Sequence, residues 1–183
     1  MSSEDTRARF ERIVRPHLGD AFALARWITG DRADAEDIVQ EACLRAFRAI
    51  GGYAGGNTRA WVLTIVRNTA YTWLARNRST VVTAVDDLAA TEHANANLGE
   101  ASARGGAYAA NPESDLIALA DAARLEAAIA TLPPHFRDTL VLRDIQGLDY
   151  REIAAVTDVP VGTVMSRLAR ARQRLIRAIE AGE

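Results

Sequence analysis

Apolar residues recur along this chain at intervals of three and four, a spacing that predicts amphipathic helices rather than strands. The first stretch, residues 10–29, predicts one bent helix or two, because Pro16 interrupts the pattern. Further helices are predicted over about residues 33–50 and 58–77. Their candidate capping residues are Asp31 or Asp34 for the former and Asn57 or Thr58 for the latter.

The end of the chain carries a short helix, a tight break and a longer basic helix. Residues 150–157 predict the short helix, Asp158-Val159-Pro160 breaks it, and the second helix covers about residues 161–179. One apolar stripe of that helix consists of Val164, Leu168, Ala171 and Leu175. The opposite, polar face carries Thr163, Ser166, Arg167, Arg170, Arg174 and Arg177. This pattern predicts a DNA-binding helix-turn-helix, and the alternative is a solvated amphipathic helix ending an all-α domain.

The two helical parts are separated by a segment of different composition. Residues 79–121 are small, polar and acidic, without long apolar periodicity. We expect a flexible tether there, with room for one short helical turn. The chain of 183 residues is therefore predicted to be all-α, with two small helical domains over residues 1–78 and 122–183.

Charge is distributed unevenly although the net charge is only −2. Residues 79–121 hold seven acids and one base, whereas Arg167 to Arg177 holds five arginines and no acid. All 22 basic residues are arginine, for which a GC-rich genome is the simplest explanation. The distribution, and not the total, favours nucleic-acid binding at the end of the chain.

Other kinds of site find little support in the sequence. Cys43 is the only cysteine, so an intramolecular disulfide and a cysteine-cluster zinc site are excluded. His17, His93 and His135 lack ligand-like spacing, and we expect no metal and no cofactor. No signal peptide and no membrane-spanning apolar run is evident, which predicts a cytoplasmic protein without membrane insertion.

Three segments together resemble one family. Residues 30–50 (GDRADAEDIVQEACLRAFRAI) and 59–77 (RAWVLTIVRNTAYTWLARN) are similar to domain 2 of bacterial extracytoplasmic-function (ECF) sigma factors. Residues 132–175 resemble domain 4 of that family, through their LPPHFRDTLVLR, GLDYREIA and PVGTVMSRLARAR stretches. The matches cover both ends of the chain in the family's order and spacing.

The resemblance implies a two-domain transcription initiation factor. In the family, domain 2 binds the clamp helices of the polymerase β′ subunit and opens the −10 element, and domain 4 reads the −35 element and touches the β flap. The loop at residues 53–58 matches the loop that recognises a flipped −10 base, and Asn68 matches an asparagine near its pocket. An unstacked base exposes its Watson–Crick edge to such polar side chains.

The resemblance assigns three sets of site residues. The expected core-polymerase-binding residues are Asp34, Asp37, Gln40, Glu41, Arg45 and Arg48. The expected −10 DNA-binding residues are Tyr53, Asn57, Arg59, Arg67 and Asn68. The expected −35 DNA-binding residues are Thr163, Met165, Ser166, Arg167, Arg170 and Arg174. Three positions depart from the family pattern: Met165 and Thr64 stand where basic residues are common, and Asp158 where glycine is common.

The leading prediction is an alternative sigma factor that responds to stress or an envelope signal and is withheld from polymerase by an anti-sigma factor. A stand-alone helix-turn-helix regulator with an N-terminal sensor domain is the alternative. An antagonist that mimics a sigma factor is less favoured, because the polar residues of the last helix are intact. An enzyme is not expected, since no catalytic constellation or phosphate-binding loop is evident.

Overall fold

The structure, a computed structural model, describes residues 3–78 and 112–181, and all regular elements in those ranges are helical. The first range holds α1 (Ser3–Ile13), α2 (Leu18–Thr29), α3 (Arg32–Ala49) and α4 (Thr58–Arg78). The second holds α5 (Pro112–Ala130), α6 (Pro134–Leu140), α7 (Tyr150–Thr157) and α8 (Val161–Glu180). Single turns of 3₁₀-helix lie at Arg15–His17 and Ile50–Gly52, and a π-helical turn lies at Val141–Ile145. The predicted all-α fold is confirmed.

Local chemistry sets the helix ends in the first range. Pro16 lies in the 3₁₀ turn between α1 and α2, so the interrupted pattern produces two helices. α2 ends at Gly30, whose φ of 78° is a left-handed conformation that glycine adopts without strain. The Asp31 side chain caps α3 by accepting a 3.0 Å hydrogen bond from the Asp34 N–H. Asn57 caps α4 by accepting a backbone N–H bond of 2.9 Å.

α2, α3 and α4 pack against one another and form the core of the first half. Leu24, Ile38 and Leu63, one from each helix, are fully buried. Burying such a side chain contributes roughly 1.5–3 kcal/mol relative to leaving it in water. α1 lies on α3, where the Phe10 and Phe47 rings meet edge to face with centroids 5.7 Å apart.

The helix-turn-helix of the second half is formed by α7 and α8. A capping box in which Asp149 and Glu152 bond each other's backbone N–H groups starts α7. Asp158 ends α7 in the left-handed region at φ 54°, which is strained for a residue with a Cβ. The apolar stripe of α8 packs on α6 and α7, with Val164, Leu168 and Ala171 buried and Leu175 half-buried. Both predicted helices and the predicted break are confirmed.

One boundary differs from the prediction. α5 begins at Pro112, inside the segment predicted to be a tether, so residues 112–121 are helical. A proline suits the first turn of a helix, and the residues that follow are rich in alanine and leucine, which are strong helix formers. The rest of the predicted tether, residues 79–111, lies outside the described residues.

The two halves pack against each other. α7 lies against α4, while α6 and the π-helical turn lie against α2. The buried apolar side chains of both halves belong to one contiguous cluster. This contact brings the middle of α4 close to α6, the start of α4 close to the segment between α6 and α7, and the loop before α4 close to α7.

Candidate functional site

The six residues expected to bind polymerase all lie on α3. The side chains of Asp37, Gln40 and Arg48 are exposed, and those of Asp34, Glu41 and Arg45 are half-exposed. Glu41 and Arg45, one turn apart, form an ion pair of 2.8 Å. The helix thus presents a polar, mainly acidic surface over its first half.

Several carboxylates lie close together near the N-terminus of α3, and this crowding sets the electrostatics of the surface. Partial burial and the neighbouring Asp31 and Asp37 raise the pKa of Asp34 above its ordinary value. A hydrogen bond from Arg45 lowers the pKa of Glu41, so that carboxylate stays ionised at neutral pH. A negatively charged surface of this kind favours a partner with basic side chains.

Two apolar side chains on α3 escaped the sequence-based assignment. Leu44 is 54% exposed and Phe47 is 39% exposed, and both lie on the helix that carries the residues expected to bind polymerase. Helical spacing alone places them beside the buried stripe of Ile38, Ala42 and Ala46, so periodicity does not reveal their exposure. Exposed large apolar groups beside charged ones are typical of an interface that buries an apolar centre.

The residues expected at the −10 element lie on α4 and in the loop that precedes it. Tyr53 packs its ring on Trp61, with centroids 4.8 Å apart, and its carbonyl accepts a hydrogen bond from Arg9. Gly55 and Gly56 both have positive φ, so this loop follows a path that requires glycine. Asn68 is exposed on α4, whereas Arg59 and Arg67 are half-buried.

Three members of this set are held by the second half of the chain. The Arg67 guanidinium donates a 2.8 Å hydrogen bond to the Asp138 carboxylate on α6. Arg59 donates a 2.8 Å hydrogen bond to the backbone carbonyl of Gln146, and Asn57 donates to the Glu152 carboxylate. The partners were not predicted from the sequence. They lie 71 to 95 residues away along the chain, and local patterns do not encode such pairings.

The residues expected at the −35 element lie on α8. Met165, Ser166, Arg170 and Arg174 are exposed, with Met165 at 53%, and Thr163 and Arg167 are half-exposed. The Arg174 guanidinium lies over the Phe136 ring, 5.0 Å from its centroid, which fixes its direction. Arg172, on the same helix, is paired instead with Asp144 at 2.7 Å.

Two further observations concern the described residues as a whole. No group of three histidine, cysteine, aspartate or glutamate side chains within residues 3–78 and 112–181 could hold a metal ion. In those same ranges, none of the helices combines the length and the apolar character needed to cross a bilayer.

Two family models match the chain. The model of sigma-70 region 2 matches residues 13–80, and that of sigma-70 region 4 matches residues 122–175. The first covers α2, α3 and α4. The second covers the last nine residues of α5, all of α6 and α7, and α8 as far as Leu175. The sequence segments that resemble domains 2 and 4 thus fall within the matched regions.

Three curated proteins illustrate the similarity. The ECF RNA polymerase sigma-E factor of Escherichia coli K12 is 34% identical over 167 residues, covering 89% of this chain and 82% of that protein. The RNA polymerase sigma-H factor of Pseudomonas aeruginosa is 32% identical, and the match covers 96% of this chain and 88% of that protein. The ECF RNA polymerase sigma factor SigE of Mycolicibacterium smegmatis is 35% identical, and this chain spans 60% of its length.

Two solved structures share the fold. The sigma factor RpoE of Bartonella quintana, solved with the anti-sigma factor NepR, has a TM-score of 0.69 at 22% sequence identity. The match covers 95% of this chain and 98% of that chain. CnrH, solved with the cytosolic domain of CnrY, has a TM-score of 0.62 at 23% sequence identity. The match covers 95% of this chain and 89% of that chain.

Proposed function

This chain belongs to the ECF RNA polymerase sigma factors, and from that premise we propose which surface performs each of its tasks. It is an alternative sigma factor, a protein that directs core RNA polymerase to particular promoters. We propose that it catalyses no reaction itself and acts in the cytoplasm, where polymerase and promoter DNA meet.

The α3 surface is proposed to bind the β′ clamp helices of core polymerase. Its support is the exposed polar set of Asp37, Gln40 and Arg48, together with the exposed apolar side chains of Leu44 and Phe47. An apolar centre with a charged rim is the usual anatomy of a specific protein interface. The family's own clamp-binding helix occupies the same place in the sequence.

α4 and α8 are proposed to read the two promoter elements. Tyr53, Asn57, Arg59, Arg67 and Asn68 would contact the opened −10 strand, with Asn68 and the loop at residues 53–58 around a flipped base. α8 would enter the major groove at the −35 element through the residues Thr163, Met165, Ser166, Arg167, Arg170 and Arg174. Domain 4 would also touch the β flap of the polymerase.

The observation that carries this proposal is the helix-turn-helix of α7 and α8 in one chain with the α3 and α4 surfaces. A stand-alone helix-turn-helix regulator would need a sensor domain in the first half. Instead, α2, α3 and α4 bury a packed core, and residues 13–80 match sigma-70 region 2. The sigma-factor assignment therefore accounts for both halves of the chain.

We also propose that an anti-sigma factor controls this protein in response to stress or an envelope signal. RpoE of Bartonella quintana was solved with the anti-sigma factor NepR, and CnrH was solved with the cytosolic domain of CnrY. A partner that spans both halves would cover residues 34–48 and 163–174 together. It would thereby block polymerase and promoter binding at once.

The direct test is run-off transcription from a library of genomic fragments, using core polymerase with and without the purified protein. We expect new transcripts whose upstream regions share two short elements at a fixed spacing. If the protein adds no transcript to core polymerase alone, the proposal fails.

A further inference from the structure

The loop proposed to read the −10 element is exposed in its middle and contains two glycines. Residues 54–57 are exposed, and Gly55 and Gly56 both have a positive φ. Glycine loses more conformational freedom on ordering than any other residue, so this pair makes the loop costly to hold in one conformation. A base is read by groups held within about 0.5 Å of the required geometry. The contacts that fix the loop therefore decide how well it reads.

The first end of the loop is held by Arg9 on α1. The half-buried Arg9 donates a hydrogen bond from its guanidinium to the Tyr53 carbonyl, and a charged donor makes such a bond stronger than one between neutral groups. The Tyr53 ring packs on Trp61 of α4 with its centroid 4.8 Å away, and its hydroxyl oxygen is buried. Tyr53 is thus anchored by its side chain, which leaves the exposed residues after it to meet a DNA strand.

α1 is itself fixed in place by the side chain that follows Arg9. Phe10 meets Phe47 of α3 edge to face, with ring centroids 5.7 Å apart. α1 also contacts the 3₁₀ turn at Ile50–Gly52, directly before the loop. Arg9 therefore reaches the loop from a helix that α3 supports. It precedes residues 13–80, so the match to sigma-70 region 2 does not include it.

The second end of the loop is held by His17, in the 3₁₀ turn after α1. Its Nε2 lies 3.0 Å from the Thr58 hydroxyl oxygen, and because a hydroxyl both donates and accepts, either tautomer of the ring can make this hydrogen bond. Thr58 is the first residue of α4, where the loop ends. Like the bond from Arg9, this bond joins groups of the first half only, so it does not depend on where the second half lies.

We propose that Arg9 and His17 are positioning residues for −10 recognition, which hold the two ends of the loop at residues 53–58 in the conformation that reads the base. Each acts through a loop residue, Arg9 through Tyr53 and His17 through Thr58. Without either bond the loop samples more conformations, and ordering it against the DNA strand then weakens binding. The loss is larger for the correct base, because only that base makes the contacts that the fixed loop offers. This inference rests on the proposed −10 function of the loop.

The first test measures hydrogen exchange in the full-length chain by NMR and needs neither polymerase nor promoter. Arg9→Met keeps the aliphatic length of the side chain but removes the donor, and His17→Phe keeps a ring without nitrogen. Arg12→Met, at an exposed arginine of the same helix, is the matched control for the former. His135→Phe, at an exposed histidine of the second half, is the matched control for the latter.

The reporters are three backbone N–H groups that form hydrogen bonds at the ends of the loop, those of Tyr53, Ala60 and Trp61. We expect exchange several-fold faster at Tyr53 in Arg9→Met, and at Ala60 and Trp61 in His17→Phe, because the lost bond no longer opposes local opening. Amides of α8 should keep their wild-type rates. Loop exchange equal to that of the wild type in both variants overturns the proposal.

The second test measures promoter discrimination by run-off transcription. A promoter recovered from the genomic library is compared with two versions, one with a changed base in the −10 element and one with a changed base in the −35 element. Arg9→Met and His17→Phe should lower the −10 discrimination ratio by up to about tenfold, the effect of one hydrogen bond. The −35 ratio should stay at its wild-type value, because α8 is unaltered. A merely structural defect would lower all transcripts together and leave both ratios unchanged.

Ratios in both variants equal to those of Arg12→Met and His135→Phe, or an equal loss at the two elements, overturn the inference. Should Arg9→Met lose the helical circular dichroism of the wild type, His17→Phe decides by the same two measurements. A wild type that adds no transcript refutes the proposed function, and the positioning role falls with it. A wild type that transcribes while both variants keep its −10 discrimination refutes the positioning role alone.

Discussion

Single side chains set the boundaries on which the helix-turn-helix depends. Asp149 and Glu152 satisfy each other's backbone N–H groups at the start of α7 at 2.8 and 2.6 Å. Asp158 closes the same helix in a left-handed conformation. The short α7 has few residues over which to spread the loss of a cap, so its ends matter more than those of a long helix.

We expect Asp149→Ala to lower the free energy of unfolding by about 1 kcal/mol, because it removes the acceptor for the Glu152 N–H. Urea denaturation followed by circular dichroism measures the change. Asp149→Asn is the control, since asparagine caps helices about as well as aspartate. Equal stability of the alanine and asparagine variants would contradict the cap's contribution.

The titration of His17 should make the free energy of unfolding depend on pH in a defined direction. Partial burial, together with the nearby Arg59, lowers its pKa below the ordinary value, while Asp20 opposes the shift. The unfolded chain therefore binds more protons than the folded chain between the folded-state pKa and about pH 6.5. Through that window, the contribution of His17 to stability falls as the pH falls.

The measurement is the free energy of unfolding against pH for the wild type and His17→Gln. The wild type should lose more stability on acidification from pH 7 than the variant does. The difference between the two curves isolates His17 from Asp138, whose raised pKa acts in the opposite direction. Parallel curves would show that His17 does not contribute.

At the scale of elements, α3 and α8 each present the residues proposed for one function on the face turned away from the core. α3 buries Ile38, Ala42 and Ala46 and exposes Asp37 and Gln40. α8 buries its apolar stripe and exposes arginines. In both helices, the 3.6-residue period fixes the buried face and the exposed face together, since a residue that faces the core cannot also face a partner.

Replacing both Asp37 and Gln40 with arginine should strongly weaken binding to core polymerase. The first half should stay folded, because both side chains are exposed. A pull-down with purified core polymerase measures the effect. Asp37→Arg alone has a matched control in Glu11→Arg, the same charge reversal at an exposed helical position on α1. Binding equal to that of the wild type would remove α3 from the interface.

Arg170→Ala should reduce the slope of log affinity against log salt for −35 duplex DNA by about one unit, as the loss of one phosphate contact requires. Arg172→Ala is the control on the same helix, because Asp144 already pairs that arginine.

Substitution of Ser166 should instead change base preference, by roughly 1–3 kcal/mol at one position. Fluorescence anisotropy over a salt series measures all three, and a slope unchanged in Arg170→Ala would exclude that contact.

At the scale of the whole molecule, the proposed anti-sigma factor would control access to polymerase and to promoter DNA from outside the chain. This form of control requires no small-molecule site. The Cys43 thiol has its pKa raised by partial burial, which makes it a poor redox sensor.

We therefore expect purified protein and core polymerase to transcribe without any added ligand, phosphate donor or oxidant. Run-off transcription in reducing buffer and after mild peroxide treatment should give equal yields, with Cys43→Ser as the control. Activity that appears only after a small molecule or oxidant is supplied would place control within this chain.

The amino-acid sequence by itself determined the helical elements and the surfaces they present. Periodicity located α2, α3, α4, α7 and α8, while Pro16 and Asp31 set local boundaries that the structure confirms. These features depend on residues within one or two turns of each other, so local patterns encode them. The start of α5 at Pro112 was missed, because polar and acidic composition concealed a good helix-forming stretch.

Only the tertiary structure decided how the halves meet. Asp138 in isolation is an acid on a short helix, and nothing near it in the sequence indicates that it is buried against Arg67. Gln146 and Glu152 likewise gain their partners from residues 87 and 95 positions away. Contacts of this range depend on the relative placement of whole helices, which the packing of many side chains sets at once and no local pattern records.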